Sequence, residues 1–592
     1  MTDASRMCCI SALVSALIAV PGLVRAQGVV TPGGTGAGGP PALLVPQGSP
    51  LDRSRAPSLP PTAPGLAPET PPPAATFAPG VSARIVTAGV IGASVYPQAE
   101  MSAITAGLTG PSVPFSRVEE VRQGLLARYR ADGYLLTTVS SALDRNGNLR
   151  INVVEGYIAD VKLQGDIGAA GTQVLRFLNR LLEERPIRIK TLERYLLLAT
   201  DLPGVTVRSV LRPSADDPAA VTLIAQVSRK SYDGVYAADN RSFKQTGPEQ
   251  MLAVAGFNSF SQYGERTELS ILHSFNNTQT FGQAATEFFV GSSGLKVRVY
   301  GGIGGVNPSG SLRVLGYDGR TRVFGVQGSY PVIRSREQSL FAVMAVDAIE
   351  SDIHTDTGPL NLATRASFDS LRILRGGFDY TLQDNLLGGD RTGVNTASLR
   401  LSRGLNSLGA TQPHDPQAGR SGERTDFFKA NMEITRTQTL YRPFDDASIA
   451  LYGLVAGQVS ASVLPPAEKF FLGGIRYNRG FYSGEVTGDN ALTASVELQF
   501  NSLIPVTGGG TSIMVGSQFY GFYDWGETWE LQRSDPNHVV RSAGGGWRGQ
   551  ITQYVSTEVE GVHRFTRSPE GTSATVKPLK ADAAYWRVVL RF

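Results

Sequence analysis

The sequence predicts a membrane-spanning β-barrel of about 16 antiparallel strands, preceded by two small α/β domains. Three observations carry this. Residues 231–592 consist of alternating apolar and polar segments separated by Gly, Asn, Asp and Ser, with hardly any helical periodicity. Residues 81–230 run twice through the same order of elements. Only 18% of the 592 residues are charged while 67 are glycine, a composition of strands and turns rather than of solvated helices.

Residues 1–26 have the parts of a signal peptide. Arg6 supplies the charged start, Cys8 to Val20 the apolar core, and Val24-Arg25-Ala26 a small-residue cleavage site. Cys8 and Cys9 are the chain's two cysteines, so cleavage after Ala26 leaves none. Disulfide scaffolds, Cys–zinc sites and thiol catalysis are thereby excluded. Residues 27–80 hold 14 of the 35 prolines and a glycine cluster from Gly33 to Gly39, and read as an extended, disordered linker. No later stretch reaches 18 consecutive apolar residues, so no transmembrane helix follows and a membrane can be crossed only by strands.

The first α/β unit is placed at 81–158. Ala83 to Gly89 reads as a strand, and Gln98 to Ala106 and Ser116 to Asp132 as helices. Val118, Val121, Leu125 and Tyr129 recur at helical spacing, with Ser116 expected as the cap and Gly133 as the stop. Two strands follow, Tyr134 to Leu143 and Asn148 to Ile158, joined by Asp144-Arg145-Asn146-Gly147. The second unit, 159–230, repeats the order: strand Asp160 to Gln164, helices Thr172 to Glu184 and Lys190 to Ala199, strands Gly204 to Leu211 and Ala220 to Arg229.

In the barrel region, Leu492, Ala494, Val496, Leu498 and Phe500 alternate with Thr493, Ser495, Glu497 and Gln499. At the end of the chain Trp586, Val588, Leu590 and Phe592 alternate with Tyr585, Arg587 and Arg591. Apolar-out, polar-in strands of about ten residues fit a barrel with a wet lumen. Counting back from Phe592 gives strands near 583–592, 553–565, 540–549, 512–525, 491–500 and 449–460. The long connections then share one side, the short ones the other, and 461–490 becomes the third long loop from the end. In 512–525, Ile513, Val515, Phe519, Tyr523 and Trp525 face outward, and Met514, Gln518, Tyr520, Phe522 and Asp524 face inward.

Enzyme chemistry has no support. The five histidines, His273, His354, His414, His538 and His563, are scattered without metal-ligand spacing, and neither a phosphate loop nor a nucleophile elbow occurs in context. No metal and no cofactor is expected. The net charge of +4 comes without a basic stripe, so nucleic acid is not an expected partner.

The loop 461–490 carries Leu464-Pro465-Pro466-Ala467-Glu468-Lys469-Phe470-Phe471-Leu472-Gly473-Gly474, then Arg479-Gly480-Phe481, then Gly488-Asp489-Asn490. The strand beyond it contains Phe522-Tyr523-Asp524-Trp525-Gly526. Together these resemble the two-partner secretion transporters, the TpsB group of haemolysin secretion/activation proteins, within the superfamily that includes BamA. Val154-Glu155-Gly156-Tyr157-Ile158, Asp239-Asn240, Ser402-Arg403-Gly404-Leu405 and Leu408-Gly409 also look like family positions.

The resemblance implies that the α/β units are POTRA domains and that the sixth outer loop folds into the lumen. Its tip, Arg479-Gly480-Phe481, would meet the wall motif Phe522, Asp524 and Gly526. Read without the resemblance, a lone lumen carboxylate and a solvated loop arginine explain the same residues. Asn478 stands where the family often has Val, which makes the tip more polar. The family's N-terminal plug helix has no match in 27–80.

By resemblance the protein is not an enzyme. It is expected in the bacterial outer membrane with its POTRA domains in the periplasm, exporting an unfolded adhesin or haemolysin through the lumen without ATP. Its partners would be that exoprotein, outer-membrane lipid and the barrel-assembly machinery that inserts it. The rivals are an assembly factor of the BamA type and a passive porin. The doubled POTRA unit favours secretion over both.

Overall fold

The computed structural model describes residues 81–309, 311–356, 363–413, 415–508, 511–569 and 578–592. The signal peptide, the linker and His414 lie outside the described residues.

In the first α/β unit, Thr87–Ile91 runs parallel to Asn148–Val154, which pairs antiparallel with Thr138–Leu143. A two-stranded sheet joins Ser82–Ile85 to Gly110–Pro114. The helices Gln98–Thr105 and Phe115–Ala131 cover these sheets, burying Met101, Val118, Leu125 and Tyr129 against Leu149 and Ile151. Three sequence expectations shift. Ser116 lies inside the second helix, which starts one residue earlier behind Pro114, whose fixed φ of −63° turns the chain into it. The third strand starts at Thr138, because Tyr134 is spent in the turn after Gly133 (φ +93°), its ring buried in the core. The strand expected to end at Ile158 breaks at Glu155-Gly156, and Tyr157 already belongs to the next unit.

That second unit places Ala220–Arg229 between Tyr157–Gln164 and Val205–Pro213. The expected helix to Glu184 is α-helical over Gly171–Leu178 and tightens to a 3-10 turn over Asn179–Glu183. In both units the strand preceding the last one, Thr138–Leu143 and Val205–Pro213, forms a sheet edge.

Sixteen antiparallel strands then close a barrel, from Tyr232–Asp239 to Asp582–Arg591. Several are longer than the expected ten residues. The twelfth, Asn490–Gly508, and the thirteenth, Thr511–Trp529, each have 19. The first and last strands pair from Asp239↔Arg587 to Val235↔Arg591. The seam extends by one residue where the Gly234 amide donates to the Phe592 carbonyl at 3.0 Å and the Phe592 amide donates back at 3.1 Å. The Phe592 ring covers Gly234 so closely that a Cβ there would lie 2.0 Å from it. Trp586, Leu590 and Phe592 face outward, while Tyr585 is buried in the lumen.

The second α/β unit packs against the short-turn end of the barrel. Asp201 takes a bidentate pair from Arg334 at 2.9 and 2.7 Å. Arg194 donates to the Pro331 carbonyl at 2.7 Å, and Gln173 to that of Gly291 at 2.8 Å. Phe177 meets Phe289 edge to face at 5.3 Å, so a barrel residue enters this unit's core.

Candidate functional site: an inward loop and the wall that receives it

The sixth long loop, 461–489, connects the eleventh strand, Ala447–Ser460, to the twelfth. It folds into the lumen as a short hairpin, with Phe470–Leu472 paired to Val486–Gly488. Gly473 and Gly474, both at positive φ, let it close. Gly473 has φ +99°, and a Cβ there would lie 2.0 Å from the Tyr482 carbonyl oxygen.

At the tip, Arg479 and Asp524 come together. The Arg479 backbone amide donates to Asp524 Oδ2 at 2.8 Å, Nε to the same oxygen at 3.1 Å, and Nη2 to Oδ1 at 2.9 Å. Ser495 holds the carboxylate from the side, its hydroxyl donating to Oδ1 at 2.6 Å. The guanidinium carbon sits 3.7 Å from the centre of the Phe522 ring. Phe522 thus supplies a π face while Asp524 supplies the charge. Gly526 makes room for the tip, since a Cβ there would lie 2.4 Å from Asn478 Oδ1. Asn478 adopts φ +50° and accepts a hydrogen bond from Thr493 at 2.9 Å. Asn readily takes this conformation and Val does not. The Gly480 carbonyl accepts from the Tyr585 hydroxyl at 3.0 Å and from Arg564, and Phe481 is buried.

Ion pairs that the sequence reading did not assign complete the site. Glu497, two residues along the twelfth strand from Ser495 and on the same face, accepts from Arg479 and takes Arg548 at 2.6 Å. Arg548 continues to Glu558 at 3.1 Å. Near the start of the loop, Glu468 binds Arg375 at 2.7 Å and Lys429 at 2.8 Å. At the barrel end away from the α/β units, Arg420 of the fifth loop meets Asp489 at 2.7 Å, Glu530 at 2.7 Å and Asp535 at 2.9 Å. Lys469 also reaches Glu530, at 2.6 Å. Their common signal was charge on lumen-facing or loop positions; their meeting depends on strand register and loop paths. Between the loop and the opposite wall lies a cavity of about 660 Å³, lined by Lys296, Arg298, Asp347, Arg400, Glu468 and Arg476 among others.

The Val154-Glu155-Gly156-Tyr157 segment joins the two α/β units. Glu155 accepts from the Tyr129 hydroxyl at 2.6 Å, the Ser94 amide at 2.8 Å and the Val95 amide at 3.1 Å. Gly156 passes so close to Leu136 that a Cβ would lie 2.5 Å from its carbonyl oxygen. Tyr157 donates to Asp217 at 2.9 Å under the Arg185 guanidinium. Burial opposes the charge on Glu155, but the hydrogen bonds from Ser94, Tyr129 and Val95 outweigh it and hold the carboxyl below its ordinary value. A depressed folded value means that its contribution is complete above the unfolded value of about 4.3 and is lost as pH falls through the folded one. Glu155→Gln should therefore destabilise the first unit by about 1–3 kcal/mol at neutral pH, and the difference from wild type should shrink in acid. Urea unfolding of residues 81–230 across pH checks this; a difference that grows in acid would contradict it.

A closed 16-stranded barrel with a buried inward loop, carried behind two α/β units, defines an outer-membrane transporter of the two-partner secretion type. The chain belongs to the haemolysin secretion/activation protein family ShlB/FhaC/HecB, whose model matches residues 220–549. The ShlB-type POTRA domain matches residues 84–156. This is a family of secretion pores, not of enzymes. Among solved structures the fold is similar to CdiB from Escherichia coli. That match has a TM-score of 0.68 and 18% identity, covering 90% of this chain and 94% of that one. It is also similar to CdiB from Acinetobacter baumannii, with a TM-score of 0.59 and 14% identity over 86% and 90% of the two chains. No curated protein matches the sequence.

Proposed function

We propose that the POTRA domains face the periplasm, bind an unfolded exoprotein of the adhesin or haemolysin kind, and pass it into the barrel lumen for export without ATP. The observation that carries this reading is the lumen loop itself. A wide polar barrel is occupied by a segment held through discrete side-chain contacts at Arg479, Glu468 and Arg420, an arrangement suited to a pore that is closed at rest and opens for a polymer. Folding of the passenger outside supplies direction, because a folded β-structure cannot re-enter.

Recognition is assigned to the two sheet edges. An extended chain can add as a strand to Thr138–Leu143 or Val205–Pro213, each paired on one side. The outward position of Val210, 47% exposed on the second edge, offers an apolar contact beside the backbone pairing. Ser141→Pro and Ser209→Pro each remove an amide that points to the open edge rather than into the sheet. Residues 81–230 should bind the passenger's N-terminal domain at about micromolar strength, and each variant should weaken this several-fold with circular dichroism unchanged. Undiminished binding by both would refute the edge mechanism. Normal secretion with failed insertion of other barrels in a deletion strain would favour the assembly-factor reading.

A further inference from the structure

We propose that the outward face of the sixth to ninth barrel strands, at the end away from the POTRA domains, binds the phosphorylated headgroup of an outer-leaflet glycolipid. This rests on the orientation given above, with the POTRA domains in the periplasm.

The face can be read along the sixth strand, Asp318–Arg334. Its outward positions are Val332, Tyr330, Val326 and Phe324, all exposed and apolar, followed by Arg322 and Arg320, each with a side chain 66% exposed. From Val332 to Phe324 the strand advances about 26 Å. A tilt of about 40° reduces this to a height of about 20 Å, close to the apolar band of a barrel. The two arginines therefore stand where the hydrocarbon ends and headgroups begin.

The neighbouring strands continue the change at the same level. Register places Arg322 opposite Glu350 and Arg320 opposite Asp352 on the seventh strand, Gln338–Thr355, beyond exposed Met344 and Val346. On the eighth strand, Thr364–Asp384, Arg372 and Arg365 lie beyond exposed Leu374 and Phe378. On the ninth, Gly393–Gly404, Arg403 is exposed beyond Leu401 and Leu399.

The carboxylates of this face are engaged without matching the arginines in number. Glu350 has Arg322 at 3.6 Å and Arg372 at 3.5 Å. Asp352 takes Arg365 at 2.9 and 3.0 Å and has His354 at 3.6 Å, and Asp318 has Arg320 at 3.5 Å. Four arginines thus meet three carboxylates, and Arg403 stands beside them on the ninth strand. Arg372 also donates to the Leu408 carbonyl at 3.1 Å and the Leu371 carbonyl at 3.0 Å, and so uses all three nitrogens. A guanidinium carries five donors, and Arg320 and Arg322, each with a single carboxylate contact, keep free edges. A row of such edges above apolar side chains fits a lipid whose head carries phosphate monoesters, which accept bidentate pairs while the acyl chains cover the band below.

The test uses the full chain in phosphatidylethanolamine vesicles containing bisphosphorylated lipid A, with lipid A retained per protein measured after detergent extraction. Combined Arg320→Gln, Arg322→Gln, Arg365→Gln and Arg372→Gln should lower retention at least about tenfold, with the heat-dependent gel shift of a folded barrel unchanged. Glu350→Gln with Asp352→Asn should raise retention, because it frees guanidinium edges; a merely structural ion-pair network would not gain. Retention unchanged in both variants overturns the proposal, as does equal retention of dephosphorylated lipid A. Displacement by inorganic phosphate alone at equimolar concentration would make the site a free-phosphate site and overturn the lipid assignment. Orientation is read separately. Val314→Cys, in a chain otherwise free of cysteine once the leader is cut, should react with an impermeant maleimide on intact cells, its position being 86% exposed. Absence of labelling overturns the orientation and the proposal with it; labelling with unchanged retention overturns the lipid site alone.

Discussion

Arg479→Ala is expected to leave the barrel inserted and to stop export of the exoprotein almost completely. The barrel ladder does not depend on the loop, because the eleventh and twelfth strands pair from Ala447↔Ser502 to Gln458↔Ala491 without it. The loop tip does depend on Arg479. Its side chain is 9% exposed and that of Asp524 1%, so the pair is a buried one. Removing one partner of such a pair costs about 3–5 kcal/mol, much of it from the charge left behind. Two carboxylates, Asp524 and Glu497, would be left without this arginine, and Glu497 alone would keep Arg548. The tip would leave the wall, and entry of the loop into the lumen would lose the contact that offsets its ordering.

Asp524→Ala should have the same effect on export. Arg479→Lys should restore little, since an ammonium cannot serve Asp524 through two nitrogens, reach Glu497 and lie flat on Phe522 together. Secreted exoprotein in the medium, scored against heat-modifiable barrel in the membrane, measures both. In a double-variant cycle the losses should fall well short of additive. If they add, the two side chains do not act as partners.

Strand parity made the lumen face readable. Period-two alternation placed Ser495, Glu497, Phe522 and Asp524 inward, and these are the positions that surround the arginine. Parity does not give register, however. That Ser495 stands opposite Asp524 and Glu497 opposite Phe522 follows from how the twelfth and thirteenth strands pair over their whole length. Glu497 could be read as a lumen carboxylate but not as a second partner of Arg479. Loops carry no period at all, so Arg420, Glu530 and Asp535 gave no sign of converging. In the POTRA units the misread boundaries have local causes. Pro111 and Pro114 disguise Gly110–Pro114 as a loop, though an edge strand tolerates proline where no donor is needed. Gly156 interrupts what alternation alone reads as one strand, because backbone packing against Leu136 excludes any side chain there.

Arg420→Ala is expected to open the barrel end away from the POTRA domains without releasing the loop tip. Arg420 belongs to the fifth loop and is 2% exposed, and it joins Asp489 of the sixth loop to Glu530 and Asp535 of the seventh. It also donates to the Leu464 carbonyl at 3.3 Å, while the Leu464 and Leu531 amides both donate to Asp489 at 2.8 Å. One guanidinium therefore sits among three carboxylates from two loops, with Lys469 as the other cation, bound to Glu530. Its loss leaves those carboxylates facing each other around a single ammonium. The cost is again about 3–5 kcal/mol, and mutual repulsion drives the fifth, sixth and seventh loops apart. Arg479 at the tip and Glu468 near the loop's start still hold the sixth loop in the lumen, so export should fall less than in Arg479→Ala. Ion conductance in planar bilayers should rise and protease should cut the three loops faster. Because the cluster is buried, raising salt should not reproduce the effect in the wild type. Conductance and cleavage both at wild-type levels would show that the loops are held by something other than this arginine.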